Sequence, residues 1–314
     1  MGPALRGLAA WRHQGRSVSR VLVFGGDGLL GTHLYLAMKD EHELCLTVHG
    51  DASAYPQRLF SGAHVVSFIG AGDTTAVSTV IDRFRPDWVV NAVGLVKREL
   101  AGDPLASLEA NTVFPHRLAR LCAERSVRFL HFSTDCVFSG QKGNYAESDR
   151  PDCPDWHGRC KALGEPGGEH VLILRTSFIG LELGCKKSLV EWFLAQKDSV
   201  PGYRKAIWSG LTAVEMGRLV SRMVSRTDPL SGLWHVATPP ISKFELLSML
   251  NARLDERGVK VVADDGFVCD RSLDGSAFAA HTGYRVPGWG EMLDELAEDV
   301  RQRWVPDAPC YWRC

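Results

Sequence analysis

Short apolar runs alternate with amphipathic stretches between residues 20 and 177 of this chain. The apolar runs indicate buried strands, whereas the stretches between them, such as 77–84 and 108–124, have apolar residues at helical spacing. The predicted strands are Arg20–Phe24, Leu44–Val48, His64–Ile69, Trp88–Val90, Val127–Phe132 and His170–Leu174. Because the predicted strands alternate with helices, we expect an α/β fold built on a doubly wound parallel sheet.

The alternation loosens after residue 178, where a smaller mixed lobe is expected. Ser242 followed by Glu245 forms a capping box at the start of one of its helices. The helices predicted in this part are Ser188–Gln196, Val214–Ser225, Phe244–Arg257 and Glu291–Arg303, and the strands are Gly232–Ala237 and Val259–Ala263.

A glycine motif lies between the first strand and the first helix. Gly25, Gly28 and Gly31 have the spacing G-x-x-G-x-x-G within RVLVFGGDGLLGTH at 20–33. The first glycine permits a tight turn, the second lets the backbone approach a pyrophosphate, and the third lets the helix pack on the strand. The helix N-terminus then faces the phosphates. The motif therefore predicts a Rossmann domain that binds NAD or NADP.

Polar residues follow each predicted strand, at the edge where ligands bind in such sheets. His49 and Asp51 follow the second strand, near the expected adenosine ribose. A basic residue there suits the 2′-phosphate of NADP, and an acidic one suits NAD. His49 lies nearer the strand end, so the pattern favours NADP, although NAD stays open. The other polar ends are Asp73–Thr74, Asn91–Gly94, Ser133–Asp135 and Arg175–Ser177.

These patterns divide the chain into three parts. Residues 1–19 are basic, lack Asp and Glu, and form an N-terminal extension or a targeting segment. Residues 20–177 form the NAD(P)-binding Rossmann domain. Residues 178–314 form mainly a smaller C-terminal substrate lobe, of which about 204–226 return to the Rossmann domain.

Composition narrows the class of protein. The 314 residues are 45% hydrophobic and 23% charged, as in an ordinary globular enzyme, and the net charge of −1 argues against nucleic acid or anionic lipid as a partner. No apolar run reaches the roughly 18 residues of a membrane span. The nine cysteines are scattered without a C-x-x-C pair. We therefore expect reduced thiols in a cytoplasmic protein, and no metal site.

The stretch 133–165 contains the most informative polar residues of the chain. Thr134 ends a strand, and His157 and Lys161 are four residues apart on one helix face. At this point the sequence resembles the extended short-chain dehydrogenase/reductase superfamily, and more narrowly the dTDP-4-dehydrorhamnose reductase group. The resemblance spans residues 20–303 and rests on GGDGLLG at 25–31, NAVG at 91–94, STDCVF at 133–138, GNYAESD at 143–149, HGRCKALGE at 157–165, LRTSFIG at 174–180, WHV at 234–236, DRSLD at 270–274 and Trp289.

The resemblance implies an NAD(P)H-dependent reductase of a nucleotide-activated, dTDP-linked 4-keto-6-deoxy sugar in deoxysugar biosynthesis, and it allows a homodimer. It implies that Thr134, Asn111, His157 and Lys161 are the catalytic positions. By the same resemblance and the strand ends, cofactor contacts are expected from Gly25, Gly28, Leu29, Leu30, Gly31, His49, Asp73, Thr74, Asn91, Ala92, Val93, Lys161 and Thr176. Substrate contacts are expected from Val96, Lys97, Thr134, Asp135, Tyr145, Phe178 and Arg271.

One departure from the family pattern affects the chemistry. The family has a catalytic tyrosine in Y-G-x-S-K, whereas this chain has His157 in its place and Cys160 before Lys161. Imidazolium is a competent acid, but a neighbouring ammonium disfavours it. Three alternatives stay open: His157 replaces the tyrosine, Tyr145 or a water donates the proton, or the chain is a catalytically impaired regulatory protein that binds nucleotide. A sugar-nucleotide epimerase is a further alternative.

Overall fold

The computed structural model describes residues 18–55, 59–67, 70–95, 103–183, 188–254 and 258–303. Its strands are β1 Arg20–Phe24, β2 Glu43–Val48, β3 His64–Ser67, β4 Trp88–Asn91, β5 Arg128–Thr134, β6 Val171–Thr176, β7 Phe178–Ile179, β8 Ser199–Trp208, β9 Leu211–Thr212, β10 Gly232–His235, β11 Ile241–Ser242 and β12 Lys260–Asp270. Its helices are α1 Leu29–Met38, α2 Thr74–Phe84, α3 Pro104–Leu108, α4 Phe114–Ala123, α5 Trp156–Leu163, α6 Leu189–Leu194, α7 Ala213–Val224, α8 Lys243–Asn251, α9 Ser276–Thr282 and α10 Trp289–Arg303.

A parallel sheet of seven strands forms the centre of the molecule, in the order β10-β6-β5-β4-β1-β2-β3. The chain runs outwards from β1 to β3 on one side and from β4 to β6 on the other, so the strand order reverses between β1 and β4. Buried apolar side chains pack on both faces of this sheet. The predicted α/β class and doubly wound parallel sheet are confirmed. Ligands of such sheets bind in the crevice at the reversal.

The last strand of the central sheet comes from the second half of the chain. The strand predicted at 232–237 was expected in the second lobe, but β10 pairs in parallel with β6, Trp234 lying opposite Leu174. A short apolar run does not reveal which sheet it joins, and this explains the error. The helix α7 also packs on the Rossmann domain, where Gly217 lies against the carbonyl oxygen of His33 on α1.

The second lobe is built on a three-stranded sheet in the order β11-β8-β12. Its core includes apolar side chains from α6, α8 and α10. The predicted capping box is present, since Ser242 accepts from the Glu245 N–H at 3.1 Å while the Glu245 carboxylate accepts from the Ser242 N–H. The helix α8 ends at Asn251, earlier than the predicted Arg257, and β12 runs well beyond the predicted 259–263. Among the described residues, no helix has the length and apolar character to cross a bilayer.

The long helix predicted at 108–124 has a different construction in the structure. It begins at Pro104, where Asp103 caps α3, and it continues through α4 to Ala123. Between α3 and α4, residues 109–113 form a turn of π-helix. Such turns insert a residue into a helix, and apolar spacing alone does not reveal them.

Gly31→Ala tests the closeness of α1 and the glycine turn. A Cβ at this position would overlap the carbonyl oxygen of Gly25, which is backbone and cannot rotate away. We expect the free energy of unfolding to fall by about 3 kcal/mol, as for an overpacked core site, and dinucleotide affinity to be lost. Urea denaturation and fluorescence titration with NADH measure the two effects. Gly167→Ala is the control, because nothing lies within 4 Å of a Cβ there. A stable, NADH-binding Gly31→Ala protein would contradict this prediction.

Candidate active site

The glycine turn at the end of β1 is shaped for a phosphate group. Gly25 has φ +83°, a conformation that favours glycine, and its N–H donates to Thr47 Oγ1 at 3.2 Å. Gly28 is the N-cap of α1 and supplies no side-chain hydrogen bond to the first turn. The first N–H groups of a helix without such a cap are available to an anion. Leu29 and Leu30 begin the helix, and Leu30 is buried in the core. This geometry fits the pyrophosphate of a dinucleotide.

Asp27 organises the end of β2, although no sequence motif pointed to it. Its carboxylate accepts from the His49 N–H at 3.0 Å and from the Tyr55 hydroxyl at 2.7 Å. His49 itself is exposed, and Asp51 caps a short 3₁₀ turn by accepting from the Ser53 N–H. That hydrogen bond lowers the pKa of Asp51. One histidine and two carboxylates therefore lie near the end of β2.

The ends of β3 and β4 close the same crevice. Asp73 caps α2 by accepting from the Ala76 N–H at 2.9 Å, and Thr74 begins that helix. Asn91 accepts from the Val93 N–H at 3.1 Å and directs its amide nitrogen to His131 Nδ1. A Cβ on Gly25 would lie 3.2 Å from Ala92 and Val93. The small residues after β4 therefore lie directly against the glycine turn.

His131 is a core residue, as expected from its place on β5. It is fully buried, and desolvation lowers its pKa well below the usual value. A neutral imidazole whose Nδ1 accepts from the Asn91 amide fits this environment. The histidine therefore supports the turn after β4 from inside the sheet.

Lys161 approaches β5 near its carboxyl end, where the strand finishes at Thr134. The buried Lys161 ammonium donates to the carbonyl oxygen of Phe132 at 2.7 Å, two residues before Thr134. Burial lowers the pKa of Lys161 to about 8, and the nearby Glu165 carboxylate acts in the opposite direction. The Thr134 hydroxyl donates to Asp135 Oδ1 at 3.0 Å and accepts from the Cys136 N–H. In β6, Thr176 lies beside Thr134 in register.

The helix α5 fixes His157 one turn before Lys161. Asp155 caps this helix by accepting from the Gly158 N–H at 2.8 Å. A Cβ on Gly158 would overlap the Cys136 carbonyl oxygen, so the first turn of α5 packs tightly behind the end of β5. His157 is half-buried beside this contact. The structure thus holds the imidazole on the same short helix as the Lys161 ammonium.

Asn111 lies in the π-helical turn and is fully buried. Its side chain accepts from the Leu95 N–H at 3.0 Å and donates to the Leu95 carbonyl oxygen at 2.9 Å. The neighbouring Thr112 hydroxyl donates to the Cys160 carbonyl oxygen on α5. The turn thereby joins the segment after β4 to the helix that holds Lys161.

Glu165 is buried, although the sequence was equally compatible with a surface position. Its carboxylate accepts two hydrogen bonds from Arg175, at 2.8 and 2.7 Å, and one from the Ser133 hydroxyl at 2.5 Å. Arg175 and Glu165 expose only 5% and 9% of their side chains, so the pair is removed from solvent. No local pattern identifies such a pair, because Glu165 lies just after α5 whereas Arg175 belongs to β6.

Tyr145 is also buried, but its hydroxyl is used within its own loop. It accepts from the Gly140 and Lys142 N–H groups at 3.1 Å each, and its ring stacks on Phe138 with 4.1 Å between centroids. This arrangement argues against Tyr145 as the proton donor that was considered as an alternative to His157. Nearby, Glu147 accepts from the His235 N–H at 2.9 Å.

The second lobe brings further side chains to this edge. Arg271 donates to Cys136 Sγ at 3.3 Å, and Phe178 lies near Phe132 with 6.4 Å between ring centroids. Asp135 is buried, and desolvation raises its pKa. The expected substrate residues Val96 and Lys97 lie outside the described residues. Lys243, to which no sequence motif pointed, approaches the same edge from α8.

Comparison with known proteins identifies the family. The profile of the RmlD substrate binding domain matches residues 19–198, more than half of the chain. The chain belongs to the RmlD family. Among the similar proteins, a probable low-salt glycan biosynthesis reductase of Haloferax volcanii is 29% identical over 230 residues, which cover 69% of this chain and 73% of the relative. A dTDP-4-keto-6-deoxy-D-glucose reductase of Streptomyces niveus is 31% identical over 169 residues, about half of each chain (51% and 52%).

Solved structures share the fold of this RmlD-family chain. A dTDP-4-dehydrorhamnose reductase of Bacillus anthracis, solved with NADP, superposes with a TM-score of 0.70 at 18% identity, covering 88% of this chain and 98% of the other. The enzyme WbmG of Bordetella bronchiseptica, solved with NAD and UDP, gives 0.74 at 19% identity, with coverage of 91% and 95%. At these sequence identities, the structural similarity establishes a shared fold only.

Glu165→Gln tests the buried ion pair of this RmlD-family site. Removing one charge leaves the Arg175 guanidinium buried without its counter-ion, so we expect the free energy of unfolding to fall by about 3 to 5 kcal/mol. Urea denaturation measures the change. The control Asp265→Asn breaks the exposed ion pair with Arg204 and is expected to behave like wild type. Equal stability of the two variants would show that the buried pair contributes no more than the exposed one.

Proposed function

We propose that this chain is an NAD(P)H-dependent reductase of a nucleotide-activated 4-keto-6-deoxy sugar, dTDP-linked, in deoxysugar biosynthesis. Membership of the RmlD family supports a sugar-nucleotide reductase, and the Streptomyces relative, a dTDP-4-keto-6-deoxy-D-glucose reductase, supports the substrate class. The observation that carries the proposal is that Lys161 donates to Phe132 on β5, the strand that ends in Thr134, at the same edge of the sheet as the glycine turn. A hydroxyl and an ammonium at this edge of the sheet lie where a nicotinamide and a ketone would meet.

Some residues at this edge of the sheet would bind the cofactor, and others would act on the ketone of the substrate. The turn at Gly25 and Gly28, with the N-terminus of α1, would hold the pyrophosphate, and Lys161 would hold the nicotinamide ribose. Reduced nicotinamide, when bound, would supply the hydride. The Thr134 hydroxyl, which donates to Asp135 in the structure, would donate instead to the ketone oxygen and so position the ketone for that transfer. Asn111 keeps the segment after β4 in place through its two hydrogen bonds to Leu95.

His157 occupies the position of the family's tyrosine, and we assign it the contact with the ketone oxygen. An imidazole N–H can polarise a carbonyl group, and an imidazolium can protonate the alkoxide that forms. Protonation by His157 requires the imidazolium form, so it predicts a rate that falls as the pH rises and the imidazole becomes neutral.

The residues near the end of β2 are compatible with both NAD and NADP. His49 at the end of β2 suits a 2′-phosphate, while Asp27, which accepts from the His49 N–H, suits a free 2′-hydroxyl. The related structures include complexes with each dinucleotide. Both reduced forms belong in the assay.

A second candidate function rests on the same histidine. If His157 replaces the proton-donating tyrosine of the family and cannot itself donate the proton, the chain would still bind nucleotide through the glycine turn. It would then act as a regulatory protein. Restoring the tyrosine separates this candidate from the reductase.

Lys161→Ala tests the reductase directly. Oxidation of NADH and NADPH is followed by absorbance with dTDP-4-dehydro-6-deoxy sugars, and we expect turnover to fall at least about 100-fold, because the ribose contact and the charge are lost. The exposed Lys197→Ala is the control and is expected to retain wild-type turnover. Unchanged turnover in Lys161→Ala would contradict the proposed function. Turnover that appears only in His157→Tyr would favour the regulatory protein.

A further inference from the structure

We propose that Asp135 stores the proton that the substrate alkoxide receives, and that it delivers this proton through the Thr134 hydroxyl. This inference rests on the proposed function and deepens it, because the tyrosine that donates the proton in the family is His157 here. Tyr145 is engaged within its own loop, so the chain needs another proton source. Three observations support Asp135: the hydrogen bonds of Thr134, the burial of the carboxyl group, and the charges around it.

The Thr134 hydroxyl has two hydrogen-bond partners at the end of β5. It donates to Asp135 Oδ1 at 3.0 Å and accepts from the Cys136 N–H at 3.1 Å. A hydroxyl has one proton to donate and two lone pairs that accept, so an ionised Asp135 engages the only Thr134 proton. A protonated Asp135 donates instead and fills the second lone pair. The Thr134 proton is then free for the ketone oxygen, and the two side chains form a continuous path for a proton.

Burial favours the protonated form of Asp135. The residue exposes only 5% of its surface and begins the short 3₁₀ turn Asp135–Val137 that follows β5. Desolvation is the largest effect on this carboxyl group, and it raises the pKa of Asp135. A carboxyl group whose pKa is raised towards the working pH is a more effective general acid than an exposed one, which has already lost its proton.

The charged neighbours of Asp135 suit a group that gives up a proton and regains it. Lys243 at the start of α8 and Arg271 directly after β12 act to lower the pKa of Asp135, but desolvation outweighs them. The Cys136 thiol is the next titratable neighbour, and burial raises its pKa to about 12, so it adds no negative charge at neutral pH. Once the proton has left, the two cations stabilise the carboxylate that remains. Both states of Asp135 are therefore accessible.

The proposed step conserves atoms and charge. Addition of the hydride to the ketone carbon turns the carbonyl oxygen into an alkoxide. The alkoxide takes the proton of the Thr134 hydroxyl, which takes the proton of the Asp135 carboxyl group. The product is a sugar alcohol, Thr134 is again neutral, and Asp135 is left as a carboxylate that regains its proton from water. His157 polarises the carbonyl group through a neutral imidazole N–H and loses no proton.

Infrared spectroscopy of the full-length chain tests the stored proton without requiring turnover. A carboxylic acid and a carboxylate have separate C=O bands, and the difference between wild type and Asp135→Asn isolates the signal of Asp135. We expect the acid band of Asp135 to persist between about pH 5 and pH 7, where an aspartate with the ordinary pKa of about 3.9 is ionised. The control Asp198→Asn removes an exposed carboxylate, and its difference spectrum shows no acid band in this range.

The pH dependence of turnover connects the stored proton to the reaction. We expect Asp135→Asn to lower kcat about 100-fold or more, the range for a general acid, and to lose the fall in rate that accompanies ionisation of Asp135 in the wild type. Lys161 and Lys243 have a pKa of about 8 each, but they are unchanged in both proteins and cannot account for a difference between the two profiles. His157→Gln is slower at every pH but keeps this fall.

Two further variants separate proton transfer from a structural role. Asp135→Glu retains a carboxyl group, so we expect it to restore part of the kcat that Asp135→Asn loses. Thr134→Val interrupts the path but leaves the carboxyl group in place. It is expected to lose turnover while its infrared spectrum still contains the acid band of Asp135.

The outcomes distinguish this inference from the proposed function. Absence of an Asp135 acid band between about pH 5 and pH 7 would overturn the stored proton and leave the reductase intact. Wild-type kcat in Asp135→Asn, or a fall in rate that disappears in His157→Gln, would also overturn it, because the proton would then come from another group. A chain that shows the acid band but reduces no keto sugar would overturn the proposed function, and the proton transfer with it.

Discussion

The carboxylate of Glu165 connects more of this site than any other single group that we describe. It accepts from Ser133 on β5 and from Arg175 on β6, and it opposes the effect of burial on the pKa of Lys161. The strand that ends in Thr134 is thereby tied to its neighbour at the edge where chemistry is expected. Since a buried ion pair tolerates little displacement, the positions of the lysine and the threonine depend on this contact.

Burial has the same effect on two lysines, Lys161 of the Rossmann domain and Lys243 of the second lobe. Desolvation lowers the pKa of Lys161 and of Lys243 to about 8 in each case. An ammonium with this pKa is charged at neutral pH but weakly solvated, so it gains more from an anionic or polar ligand than an exposed lysine does. The Rossmann domain and the second lobe each supply one such group. Both ammonium groups lie close enough to Cys136, just after β5, to interact with it electrostatically.

Local sequence patterns predicted the parts of this structure that local physics determines. Glycine spacing identified the turn after β1, strand composition identified the six strands of the Rossmann half, and the Ser242–Glu245 pair identified a helix start. The partner sheet of β10, the burial of Glu165 and the approach of Lys243 depend on contacts between distant segments. Local patterns in a single sequence do not indicate which distant segments come into contact. The roles that we propose for Thr134 and Lys161 come from the family resemblance, because spacing alone does not indicate them.

The π-helical turn at 109–113 has a consequence for evolution of the site. One inserted residue lets Asn111 face Leu95 while Phe114, three positions later, remains buried against Phe24 of β1. Deleting that residue would restore regular helical hydrogen bonds, yet it would rotate α3 by about 100° relative to α4. The asparagine and the core phenylalanine could not both keep their contacts. The irregular turn thus allows one helical segment to contact both Leu95, after β4, and the apolar core.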